Sequence, residues 1–190
     1  MAHIIRKATQ DDAGRLAELA GVTFPLACPP GSSPADIAAH LANTLSEEHF
    51  RIYAGDPDIT ILVIEEEAIT GPDAPSTPDG ELRGYSMLIA RPAQDPDVAS
   101  ALSQLPSAEL SKCYLHPGYH GLGAAAELMR ATVESAAADG ALGLWLGVNS
   151  ENAKAIRFYE KSGFRKVGTK TFKLGSTVEH DFVMERQLPA

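Results

Sequence analysis

The stretch Ala108–Val148, AELSKCYLHPGYHGLGAAAELMRATVESAAADGALGLWLGV, decides how this chain folds. It reads as a strand, a glycine-bearing turn, an amphipathic helix and a second strand, a βαβ unit. In Glu109 to Leu115, alternation predicts Glu109, Ser111, Cys113 and Leu115 on one face and Leu110, Lys112 and Tyr114 on the other. Leu122, Ala125, Ala126, Met129, Val133 and Ala136 then recur at helical spacing, and Asp139-Gly140 ends that helix. LGLWLGV is a nearly continuous apolar run, as expected of a strand covered on both faces. Gly121 and Gly123 stand where the helix begins. There, N–H groups without intrahelical partners and the positive end of the helix dipole can face an anion.

Working outward, the 190 residues with 44% hydrophobic content suit one well-buried domain spanning 1–190. The segment after Met1 has no sustained apolar run, so neither a signal peptide nor a lipidation pattern is expected there. No apolar segment approaches the roughly 20 residues that span a bilayer, so the expectation is a soluble, cytoplasmic protein with no membrane partner. Cys28 and Cys113 share no redox or metal-ligand spacing, which predicts two free thiols and no metal. The net charge of −9 argues against nucleic acid as a partner. Charge is also uneven: Asp56 to Asp97 holds ten acidic and two basic residues, Glu151 to Arg186 five acidic and eight basic. That asymmetry suits a cationic acceptor and an anionic cofactor meeting at one cleft.

Before the central unit, His3 to Lys7 is a candidate strand, followed by a helix carrying Leu16, Leu19, Ala20 and Phe24 that is predicted to stop before Pro25. Ser33-Pro34 starts a second helix with Ile37, Leu41 and Leu45 on one face, and SEEHFRIYAGD adds further helical turns. These helices are placed to wall an acceptor pocket. ITILVIEEE from Ile59 and ELRGYSMLIAR from Glu81 form a hairpin with a long proline- and glycine-rich tip, and a short helix is expected around Val98 to Leu105. After the unit, Asn149 or Ser150 caps the helix NAKAIRFYEK, which stops at Ser162-Gly163, and a hairpin turning at Gly175 closes the chain.

GLGAAA also satisfies the G-x-G-x-x-A form of the dinucleotide fingerprint. In that fold, however, the glycines follow the strand almost at once near the start of the domain, whereas here His116 to Tyr119 intervene late in the chain. The second half decides. H-x-x-G-x-A from His120 to Ala125, followed by N-x-x-A-x-x-F-Y-x-K-x-G-F from Asn152 to Phe164, resembles the GCN5-related N-acetyltransferase family. Its first motif, (Gln/Arg)-x-x-Gly-x-(Gly/Ala), cradles the pyrophosphate of acetyl-coenzyme A. His120 departs from that pattern; it still donates a hydrogen bond, with a charge that depends on pH.

The resemblance implies an α/β fold with a central mixed, mostly antiparallel twisted sheet of about six to seven strands, flanked by helices on both faces. It also implies acetyl-coenzyme A as co-substrate, held by His120, Gly121, Leu122, Gly123, Ala124, Ala125 and Ala126 at the turn. Cys113, Tyr114 and Leu115 would serve it from a strand that splays from its neighbour. Asn152 would bond the pantetheine or simply cap its helix. Acetyl transfer to an amine needs a base for the amine, a donor to the acetyl carbonyl and an acid for the leaving thiolate. Tyr159, seven residues after Asn152, matches the family's general acid, a phenol with a pKa near ~10; a core aromatic is its other reading. Glu109 matches the base of the histone-acetylating branch, where the proton passes through water, and reads equally as a strand-edge carboxylate. The base of ribosomal-protein acetylating relatives would fall at Gly147, which closes that route. The family transfers directly, so Cys113 reads as a structural thiol.

GFRKVGTKTFKLGSTVEHDFVM and LWLGV resemble the bacterial polyamine (spermidine/spermine) acetylating branch, implying a small polyamine-like amine as acceptor. Glu65, Glu66 and Glu67 are candidates to reach the cleft and recruit it. A protein or peptide acetyltransferase and a non-catalytic acyl-coenzyme A sensor are the competing readings. The last hairpin is a candidate surface for a homodimer.

Overall fold

The computed structural model describes residues 3–28, 31–66, 80–174 and 177–189. Seven strands form one mixed sheet in the order β1-β2-β3-β4-β5-β7-β6. The strands are β1 (His3–Lys7), β2 (Ile59–Glu66), β3 (Leu82–Ile89), β4 (Ser107–Leu115), β5 (Gly143–Asn149), β6 (Arg165–Leu174) and β7 (Thr177–Gln187). All neighbours are antiparallel except β4 and β5. The helices are α1 (Ala13–Ala27), α2 (Pro34–Thr44), α3 (Glu47–Gly55), α4 (Pro96–Ala101), α5 (Ala124–Ala138) and α6 (Ala153–Lys161). The expected α/β architecture is therefore present, with helices on both faces of the sheet.

Side-chain alternation explains that division. On β2, Ile61 and Val63 pack with Leu16, Phe24 and Phe50 of α1 and α3, whereas Leu62 and Ile64 pack on the opposite face with Leu128 of α5. Farther along, Leu144, Leu146 and Val148 of β5 meet Met129 and Val133 of α5 together with Phe164. Burying a side chain such as Leu128 or Met129 contributes about 1.5–3 kcal/mol, so the apolar stripe of α5 is a principal reason it lies on the sheet. A buried Ser86–Thr132 hydroxyl contact of 2.7 Å ties β3 to the same helix.

Two expectations are corrected here. Pro25 does not stop α1; it lies inside the helix, which runs one half-turn further to Ala27 and carries Leu26 and Ala27 over the sheet's centre. The strict alternation expected of β4 also fails. Met87 pairs with Lys112 while Leu88 pairs with Leu110, so Ser111 is an extra residue, a β-bulge. The bulge resets parity: Leu110 and Cys113 both join the core under α5, and Glu109 and Lys112 both line the cavity described next. The expected hairpin tip, including Glu67, lies outside the described residues.

Candidate functional site

β4 and β5 pair over only three positions, Ser107–Gly143, Ala108–Leu144 and Glu109–Trp145, and then diverge. His116 donates its N–H to Arg83 O at 2.7 Å, which marks the Leu115–Gly84 position as a non-hydrogen-bonded pair. The N–H and C=O of Leu115, and two residues earlier those of Cys113, consequently point away from β3 into the opening. This is the splay the family resemblance implies. His120 Nε2 lies 3.2 Å from the outward-facing Leu115 O, closing the turn back onto the strand.

Two cavities meet in this opening. The first, of about 370 Å³, is walled by Phe24, Cys28, His40 and Thr44 from the α1–α2 side and by Glu109, Lys112, Lys170 and Asp181 from the sheet. Phe24 and His40 stack at 4.5 Å between ring centroids and roof it. The second, of about 320 Å³, is lined by Leu115, His120, Gly121, Gly123, Ala125, Lys154 and Phe158, with Thr23 and Leu26 from the last turns of α1. Ala27, Cys113, Tyr114, Asn152, Ala155 and Tyr159 line both. Nine of the thirteen anticipated site residues thus line the second cavity, and Glu109 lines the first. Leu122 is instead an exposed side chain, Ala124 is buried in the core, and Ala126 is exposed on the helix.

At the turn, Gly121 and Gly123 adopt φ of +82° and +84°, the left-handed region that costs an L side chain about 1–2 kcal/mol. Gly123 O accepts the first helical bonds, from Ala126 and Glu127. The amides before them therefore have no acceptor within the helix and face outward. Asn152, instead of the expected Asn149 or Ser150, caps α6 by accepting from Ala155 N–H through Oδ1 at 3.0 Å, and it also lines both cavities. Tyr159 sits edge-on to Phe164 at 5.8 Å.

The electrostatics are set by desolvation. Burial pushes the Glu109 carboxyl up, against the pull of Lys170 and Lys112. Burial pulls the Lys112 ammonium down to about 8, against Glu109. The Cys113 thiol is pushed up to about 12 and the Tyr159 phenol well above its ordinary value, both by burial. At Gly147, a Cβ would sit 3.1 Å from Lys170 Nζ and 3.3 Å from Asp181 Oδ2. The space of the absent side chain is filled by that lysine and that carboxylate. Asp181 enters the sequence reading only as part of the resemblance to the polyamine-acetylating branch and Lys170 not at all, because nothing local marks them: β6 and β7 bring them in from the end of the chain.

Among the described residues, the acids of the Asp56–Asp97 stretch line neither cavity. Asp56 and Asp58 bind Arg91, Glu65 binds Arg6 and Arg15, and Glu66 binds Arg83. Recruitment of a cation by Glu65 and Glu66 is thereby withdrawn, because both carboxylates are already engaged by guanidinium groups. Among the described residues, no group of three or more His, Cys, Asp or Glu side chains is placed to hold a metal ion, and no helix is long and apolar enough to cross a membrane.

Comparison with known proteins agrees with this geometry. Residues 37–164 match the model of the Acetyltransferase (GNAT) family. An uncharacterized N-acetyltransferase of Mycobacterium bovis is 46% identical over 177 residues, 93% of this chain and 98% of the relative, and one from Mycobacterium tuberculosis matches equally. Among solved structures, the PaiA N-acetyltransferase of Thermoplasma acidophilum, crystallised with coenzyme A, superposes with a TM-score of 0.73 at 22% identity, covering 98% of this chain and 99% of that one. The ribosomal-protein-S18-alanine N-acetyltransferase of Escherichia coli gives 0.66 at 16% identity, covering 100% and 96%. The chain belongs to the GNAT family of acetyltransferases.

Proposed function

We propose that residues 1–190 act as one domain that transfers the acetyl group of acetyl-coenzyme A to the primary amine of a small acceptor, by direct attack with both substrates bound. The observation that carries this reading is the junction: Cys113, Tyr114, Asn152 and Tyr159 belong to both cavities, so a ligand in each would meet beside one phenol. The residues fit the co-substrate. The outward amides at Gly121–Ala125 suit its phosphates, Lys154 adds a cation at the second cavity, and the inner edge of β4 offers backbone groups to an amide-bearing arm. The Thermoplasma acidophilum structure with coenzyme A, on the same fold, supports the choice.

When bound, acetyl-coenzyme A supplies the activated thioester. Glu109 takes the amine proton through water, Leu115 N–H donates to the acetyl oxygen, and Tyr159 gives its proton to the departing thiolate. The raised pKa of Tyr159 keeps it protonated, yet also makes it a weaker acid than the ordinary phenol value suggests. The same dry surroundings compensate, since a thiol there is pushed up as Cys113 is, so the leaving group is a stronger base too. Cys113 itself, held as a thiol, is a poor nucleophile, which favours direct transfer over an acyl-enzyme.

The small first cavity under α1 and α2 favours a small molecule over a protein segment. A polyamine acceptor, the finer reading from the end of the chain, keeps Glu109 and Asp181 as facing carboxylates. The setting in this reading is the cytoplasm, and a homodimer through the β6–β7 hairpin is checked by sedimentation. An amine panel scored by acetyl-coenzyme A dependent thiol release tests the whole. Unchanged turnover in Tyr159→Phe overturns the acid assignment, and tight coenzyme A binding with no amine turned over identifies an acyl-coenzyme A sensor.

A further inference from the structure

Resting on the acetyl-transfer reading, the geometry points to an acceptor that carries a carboxylate as well as its amine, an amino acid in the broad sense, with Lys112 as the residue that binds the carboxylate. The bulge at Ser111 is what makes this site. By restoring Lys112 to the side of Glu109, it sets a cation and an anion three residues apart on one strand and facing one cavity.

The lysine is underused by the protein. Among the described residues its Nζ reaches Ser111 Oγ, at 3.3 Å, and the face of Tyr53, 5.8 Å from the ring centroid. Among the described residues no carboxylate forms an ion pair with it, although an ammonium carries three donors. Elsewhere among the described residues, Arg6, Arg15, Arg51, Arg83, Arg91, Arg130 and Arg165 each form an ion pair with a carboxylate. A half-buried ammonium is costly without an anion. A ligand carboxylate supplies one.

The other charges sort the ligand's orientation. Lys170 Nζ and Asp181 Oδ2 lie beside the same point above Gly147 and offset one another. His40 is held toward its neutral form by burial and then by Lys112, and adds no anion. Glu109, without an ion pair among the described residues, faces the amine. Across the bulge Glu109 and Lys112 stand opposite Ile89 and Met87, two residues apart on β3, so at about 3.3 Å per residue they are separated by roughly 7 Å along the sheet, a spacing that lets one short amino acid be held by its amine and its carboxylate between the two side chains. A polycation placed along the same line would set an ammonium against Lys112.

The test compares L-amino acids with neutral side chains, γ-aminobutyrate, the matching carboxamides and spermidine, by kcat/KM for thiol release. The expected result is that one carboxylated amine exceeds its own carboxamide at least tenfold. Lys112→Met should collapse that ratio to near one through KM, and Lys112→Arg should restore most of it. Spermidine as the best acceptor, carboxamides turned over as well as acids, or a ratio unaltered in Lys112→Met each overturns the proposal while leaving acetyl transfer standing. Failure of every amine, with acetyl-coenzyme A binding seen by calorimetry, overturns the acetyl-transfer reading and this one with it.

Discussion

Beside β1, Arg6 and Arg15 close on Asp12 and Glu65 until every carboxylate oxygen has a donor; on β4, Glu109 and Lys112 share a cavity wall and form no ion pair. In the first group Arg6 grips Asp12 through two nitrogens at 2.8 and 2.9 Å and Glu65 through Nε at 2.6 Å, Thr9 N–H adds 2.8 Å, and Arg15 bridges the same two acids. The hydrogen bond from Arg6 holds both carboxyls below the usual range. In the second group desolvation dominates, so the carboxyl rises and the ammonium falls. Charges that serve the fold are satisfied by the fold; the pair on β4 is dried without that satisfaction, the pattern expected of the ligand-binding role proposed for it.

The largest expected effect breaks the first group. Asp12 is only 2% exposed, and Asp12→Ala leaves Arg6 and Arg15 to share Glu65 as their carboxylate partner, costing about 3 kcal/mol in denaturant unfolding. Because the folded carboxyls of Asp12 and Glu65 lie below their unfolded values, their contribution is complete above the ordinary carboxylate range. It is lost as pH falls through that range toward the folded values. Acid unfolding should accordingly be shallower in Asp12→Ala than in the parent chain.

Next come changes in the second group. Tyr159→Phe should lower kcat by about 100-fold or more, the usual worth of a positioned acid, with unfolding little altered. Gly123→Ala places an L side chain at φ +84° and should weaken coenzyme A binding by about 5–30-fold, the equivalent of 1–2 kcal/mol. In the proposed mechanism Glu109 acts once it has lost its proton, so the acid limb of kcat/KM should lie above the ordinary carboxylate range. Lys170→Met should move that limb to still higher pH, because the pull that opposes desolvation is removed. Smallest of all, Arg130→Ala breaks an exposed pair with Glu134 and should change stability by less than about 0.5 kcal/mol.

Local signals made much of this legible. A β-branched run marks β2 and a nearly continuous apolar run marks β5, the glycines at 121 and 123 mark the turn, and Asp139-Gly140 and Ser162-Gly163 end two helices where Gly140 and Gly163 have positive φ. What escaped depended on distance or on one inserted residue. A bulge is invisible to a period-two pattern, so Lys112 was placed on the wrong face. The engagement of Glu65 depends on Arg6 and Arg15, some 50 or more residues away. Pro25 escaped because a proline in the last turns of a helix removes only one bond from an already fraying end.

The three-pair seam between β4 and β5 has one more consequence. Past Glu109, the inner side of β4 is a sheet edge located in the middle of a sheet, and the amides of Cys113 and Leu115 on it answer to solvent or ligand instead of a neighbouring strand. Their hydrogen–deuterium exchange should therefore be fast for residues at the centre of a fold, while those of Tyr114 and Lys112, turned toward β3, exchange slowly. A bound amide-bearing ligand would act as the missing strand and slow them, so the exchange rate of two backbone hydrogens becomes a direct reading of whether the sheet is complete.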